Sequence, residues 1–238
     1  MRRFFSNSQI PMEMLYYGMA FDCTTCFHLA YDANLSYLPV SLAAANALNL
    51  YFVCKGIRPA CMWWSDIFPD NFDVTNPLLT ELSKEMTIKW RNGYCNVSAY
   101  PFIDPSLGPF PDMPATLIYH SDFDIADQAC EDPSFLANMV ENQLLLGQAL
   151  GYPCAGEGSD GDARYHYMVQ GEWDEEPIPV LQMVCDSERS SEFENTLLDM
   201  SISAKELDIN IQVFIADNEI EEVFHLDLGT GTLTMMGY

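Results

Sequence analysis

The sequence predicts an α+β fold: a helical, aromatic-rich N-terminal part followed by a mainly antiparallel sheet with a β-β-α-β-β unit. Three observations predict it. Apolar residues before residue 151 recur at helical spacing or fill whole segments, whereas from residue 165 the pattern changes to the period of two that marks strands. Cap and stop residues bracket the helical segments. Proline-rich and glycine-rich stretches separate the two regimes.

Taken in order, residues 1–35 carry a dense apolar run without clean periodicity, then Cys23-Thr24-Thr25-Cys26-Phe27-His28. Pro39 suits the first turn of a helix over Val40–Cys54, which Gly56 closes. Apolar residues lie almost all round this helix, so it should be central. Residues 57–75, rich in proline and aromatics, read as an irregular segment packed on the core. A second helix is expected from Pro77 to Arg91, capped by Asn76, with Leu78, Leu82, Met86 and Trp90 on one face. The five prolines of residues 94–115 mark a linker between residues 1–93 and residues 116–238, unless the whole chain is one compact domain.

Thr116–His120 reads as a strand and Asp132-Pro133 as the start of a long helix that Gly151 and Pro153 terminate. Beyond a polar loop at 155–164, Tyr165–Gln170 and Ile178–Cys185 read as strands. Ser191 with Glu194 caps a helix to about Leu207. The alternation of Ile209, Ile211, Val213 and Ile215 with polar or smaller residues gives a half-buried strand, followed by one over Glu222–Leu228 and a last short one.

Composition bounds the function. The 238 residues hold 49% hydrophobic side chains, too many for a disordered chain, and a formal net charge of −25. A field of that sign repels phosphate backbones and anionic lipid, so nucleic acid is disfavoured as a partner and a protein or small-molecule partner is expected. The most apolar segment, Leu38–Val53, is shorter than the roughly 20 residues of a membrane span. The eight cysteines suggest reduced thiols rather than a disulfide framework, because Met1-Arg2-Arg3-Phe4-Phe5 leads into polar residues instead of a signal core. A soluble protein of the cytoplasm or another reducing compartment is expected.

Leu117-Ile118-Tyr119-His120, Asp122 and the closing Leu150-Gly151-Tyr152-Pro153-Cys154 resemble a phrase of some uncharacterised microbial proteins. There a similar segment ends in an LGYP box followed by cysteine, usually a pair. Here Ala155 follows the single Cys154. The resemblance implies an organisation of the chain and no activity.

Candidate chemistry centres on thiols. Cys23 and Cys26, three apart, with His28 close by, offer three ligands to zinc or a pair for thiol–disulfide exchange. A zinc site would need a further ligand such as Cys54 or Cys61 brought close by the fold. The exchange reading lacks a strand before the motif and a smooth helix after it. Cys154 with His120 or His166 is a possible nucleophile–base pair, but a thiol beyond a helix C-terminus sits at the wrong end of the dipole. Trp63, Trp64, Phe68 and Phe72 read first as core and otherwise as the wall of a ligand pocket or protein contact. Asp160-Gly161-Asp162 lacks the full ligand ladder of a calcium loop. With no complete catalytic set legible, the preferred reading is a non-enzymatic acidic module that binds a protein or small ligand. The alternative is a thiol- or metal-dependent enzyme using Cys23, Cys26 and His28.

Overall fold

A computed structural model describes residues 21–64, 72–95, 113–122, 147–152, 165–174, 176–185 and 191–236. Two antiparallel helices lead: α1, Cys23–Leu35, and α2, Val40–Cys54. Asp22 caps α1 by accepting the Thr25 N–H at 2.6 Å. Helix α2 is buried at every position from Ala43 to Val53, so its near-uniform apolarity does make it central. Gly56, at φ +69°, reverses the chain behind it, a conformation that costs glycine little.

Strand β1, Ala60–Trp64, occupies the middle of the segment expected to be irregular. Helix α3, Phe72–Glu85, then leads to β2, Ile88–Cys95, and β3, Met113–His120. The helix expected at Pro77–Arg91 is corrected at both ends: it starts five residues earlier, keeps Pro77 inside, and stops at Glu85. Leu78 and Leu82 hold the expected face, but Trp90 belongs to β2 opposite Ile118. Two helical turns and a strand can share one four-residue recurrence, and pairing with β3 decides between them. Asn76, read as a cap, instead accepts the Asn92 side-chain N–H at 3.0 Å.

The three-stranded sheet has the order β1-β3-β2, all antiparallel. It joins residues from both sides of the proline-rich stretch, whose ends at 94–95 and 113–115 lie in strands. Most of the long helix expected after Asp132 lies outside the described residues. Its end is helical at 147–149 and stops at Gly151, φ +80°.

The second sheet holds β4, Tyr165–Trp173, β5, Glu176–Cys185, β6, Asn210–Asp217, β7, Glu222–Asp227, and β8, Thr232–Met235. Its order is β5-β4-β6-β7-β8, antiparallel throughout. Helix α4, Ser191–Ala204, continued by a 3-10 turn at Lys205–Leu207, supplies the crossover from β5 to β6. The α+β fold and the β-β-α-β-β unit are therefore present, with β8 as the last short strand.

Helix α2 packs against α1, α4, the first sheet through β1 and β3, and the second through β5. The core around it is one cluster running from Cys26 to Leu226. Among the described residues, no helix is long and apolar enough to cross a membrane.

Candidate functional site

The N-terminal motif lies within a helix. Cys23 and Cys26 occupy the first and fourth positions of α1, so a helix does follow the pair. Three residues apart, they share a face; His28, about 200° round from Cys26, does not. Cys26 is fully buried, Cys23 half-buried and His28 exposed, its ring edge-on to Phe27. Because α1 and α2 run antiparallel, the start of one meets the end of the other. The Cys54 thiol, last in α2, lies beside Cys26 and within electrostatic reach of Cys23 and Cys61. Of the two further ligands a zinc site would need, Cys54 lies beside Cys26, while Cys61 is related to Cys54 rather than to the pair.

The environment of Cys23, Cys54 and Cys61 favours their protonated forms. The adjoining Cys26 thiol, then burial, raises Cys54 far above its ordinary value. Burial pushes Cys61 up to about 12, against the pull of Arg58. Burial, then the neighbouring Cys26, raises Cys23, while Lys55 opposes the shift. Among the described residues, no group of three or more His, Cys, Asp or Glu side chains is placed to hold a metal ion.

The remaining sequence candidates are scattered. His120 ends β3, where its Nδ1 accepts the Asp122 N–H at 3.3 Å and lies 3.6 Å from the Asp122 carboxylate. Cys154 and Phe68 lie outside the described residues. Trp63 is 2% exposed and donates its indole N–H to Asn46 O at 2.8 Å, so it is core and walls no open pocket. Trp64 closes β1.

Sequence reasoning missed a buried polar chain along α2. Tyr37 and Asn46 both donate to Asn34 Oδ1 at 2.8 Å. Asn49 donates to Ala45 O and to Val180 O, at 2.9 and 2.8 Å, and accepts from Arg58. Val180 is the extra residue of a bulge: Val169 pairs with Leu181 and Gln170 with Pro179. Its carbonyl, set aside by the ladder, turns to Asn49. Arg58, only 4% exposed, also donates to Leu150 O at 3.3 Å and lies over the Tyr152 ring at 5.8 Å. The Leu150-Gly151-Tyr152 segment is therefore held by Arg58, and Pro59 fills the place where a Gly151 side chain would stand.

The open surface lies on the other side of the second sheet. Ile211, Val213, Ile215, Tyr167 and Val169 point inward and are buried. The register places Met168, Phe214, His225 and Thr234 in one row on the outward face, with His166, Ala216 and Val223 in the next. These apolar side chains are only half-buried, and Phe214 packs edge-on to His225 at 5.5 Å. Toward the opposite end come the amides Gln170, Gln212 and Asn210 and the carboxylates Glu172 and Asp227. Among the described residues of this sheet, none of the outward-facing strand positions is Lys or Arg. Gln170, Gly171, Glu172, Pro177 and Gln212 line a cleft of about 140 Å³ on this surface. Its floor is backbone, since a side chain on Gly171 would point inward to Ile209 and Ile178.

No family model matches the chain, and neither a curated protein nor a solved structure is detectably similar to it.

Proposed function

We propose that the protein is a non-enzymatic interaction module that takes a basic protein segment on the outward face of its second sheet. The cleft at Glu172 carries this reading. One carboxylate and two primary amides converge there on a space suited to the head of an arginine or lysine side chain, which presents only donors. Beside it, Met168, Phe214 and Val223 offer apolar contact to the rest of the segment. The overall charge of −25 would steer a cationic partner toward the molecule and repel an anionic one. Cys23 and Cys54, pushed upward in pKa, are poor nucleophiles near neutrality, which weighs against the thiol-enzyme alternative.

Titration calorimetry with arginine-containing and acid-rich peptides of equal length tests the reading. Binding of the basic peptide alone is expected, weakening by tenfold or more for Glu172→Lys combined with Asp227→Lys and fading as salt is added. Equal affinity for both peptides, or an unchanged affinity in the double variant, would sink it.

A further inference from the structure

The helix hairpin brings together thiols that the proposed interaction does not use. The Asn46–Asn34 hydrogen bond sets the register of the packed hairpin, and the same register places Cys26, in the first turn of α1, opposite Cys54, the last residue of α2, with Cys23 one turn away toward solvent. Disulfide bonding requires Cα atoms roughly 4.4–6.8 Å apart, a range open to neighbours three apart on a helix. It is equally open to residues facing each other where two helices pack closely. Cys61 lies beyond Cys54, fully buried in β1.

We propose that Cys23, Cys26 and Cys54 form a thiol relay that accepts a low-molecular-weight disulfide at Cys23 and stores the oxidation as a buried Cys26–Cys54 bond.

The Cys23 thiolate attacks one sulfur of the small disulfide, forming a mixed disulfide and releasing one small thiol. The Cys26 thiolate then attacks the Cys23 sulfur, expels the second small thiol and leaves a Cys23–Cys26 bond. Finally the Cys54 thiolate attacks the Cys26 sulfur, which forms Cys26–Cys54 and returns Cys23 to the thiol. Each attacking thiol gives up one proton and each departing sulfur takes one. The net change is one small disulfide reduced to two thiols and two protein thiols oxidised to one disulfide. Lys55 acts on Cys23 to assist the first step, while burial and the surrounding acidic groups slow it. The relay is therefore stoichiometric and gains rate as pH rises.

The test incubates the whole folded protein with glutathione disulfide, blocks free thiols, and maps peptides without reduction. A Cys26–Cys54 cross-linked peptide is expected, accumulating several-fold faster at pH 9 than at pH 7. Cys23→Ser, a change at a half-exposed position, is expected to slow its appearance at least tenfold with the far-ultraviolet spectrum unchanged. An end product that stays at a Cys23–glutathione adduct or a Cys23–Cys26 bond overturns the proposal. So does a cross-link that forms only in urea, or one that forms at the same rate in Cys23→Ser.

Discussion

Asn49 satisfies two elements at once, and its replacement shows what a single buried amide is worth here. Asn49→Ala would leave the Arg58 guanidinium and the Val180 carbonyl each short of a partner inside the core. Losing one partner of a buried charge costs about 3 kcal/mol or more. Chemical denaturation should show a loss of that size, whereas Tyr37→Phe, which removes only the hydroxyl that donates to Asn34 Oδ1, should cost about 1 kcal/mol. A smaller loss at Asn49 than at Tyr37 would mean that water replaces the amide. At Gly151 the constraint is backbone and space together: φ is +80°, and an added Cβ would lie 2.8 Å from Pro59 Cδ. Gly151→Ala is expected to destabilise by about 1–3 kcal/mol in the same assay.

Two aspartates give pH dependences of opposite sign. The hydrogen bonds from Thr25 hold Asp22 below the usual carboxylate range, so its stabilisation is complete above the unfolded value of 3.8 and is lost as pH falls through the folded value. Burial raises Asp32, with His28 working against the shift. A raised carboxyl favours its protonated form, so stability is lost as pH rises through the folded value. Asp32→Asn should therefore raise Tm at pH 7, and the gain should shrink toward pH 4, as followed by thermal unfolding. A fall in Tm at pH 7 would mean that the carboxylate makes a stabilising contact.

At the scale of elements, α2 is the organiser. It separates the two sheets, and its C-terminal end is tied to the end of α4. Tyr51 donates to Ser203 O and to Glu206 at 3.0 Å, and Lys55 pairs with Glu206 at 2.6 Å. Lys55 also suits the C-terminal pole of the helix dipole. The ion pair is open to water, so Glu206→Gln should matter less than any change at Tyr51. Helix α3 contributes through a narrower face: Leu78, Leu79 and Leu82 are fully buried between α1 and β2. Leu82→Ala should cost about 2–5 kcal/mol by denaturation, depending on how far α1 closes the cavity. The edge strand β5 carries Pro177 and Pro179, which cannot donate to a ladder and so fit a strand paired on one side only.

The whole molecule carries −25 formal charges, and self-repulsion of this size opposes the compact state. Raising salt from about 0.01 to about 0.5 M should raise Tm as the screening length falls from roughly 30 Å to a few ångströms. A falling Tm would show that the attractive pairs, such as Lys55–Glu206 and Lys84–Glu81, outweigh the repulsion. The same screening weakens attraction to a basic segment, so stability and partner affinity should respond to salt in opposite directions.

The sequence by itself determined the elements whose signals are local. Uniform apolarity placed Val40–Cys54 at the centre, the Ser191–Glu194 cap placed α4, and strict alternation placed β6, because capping and periodicity act within a few residues. Even α1 had a local signal, the Asp22 cap immediately after Phe21, hidden by the dense apolar run before it. Tertiary structure decided where locality fails. Only pairing with β3 turned Trp63 and Trp90 into strand residues, and only antiparallel packing brought Cys54, distant in the chain, onto Cys26. The outward cleft likewise needs β4, β5 and β6 in register, since Glu172, Pro177 and Gln212 lie in three different strands. A pattern along the chain encodes which face of an element is buried; what that face meets is fixed only when distant segments pack.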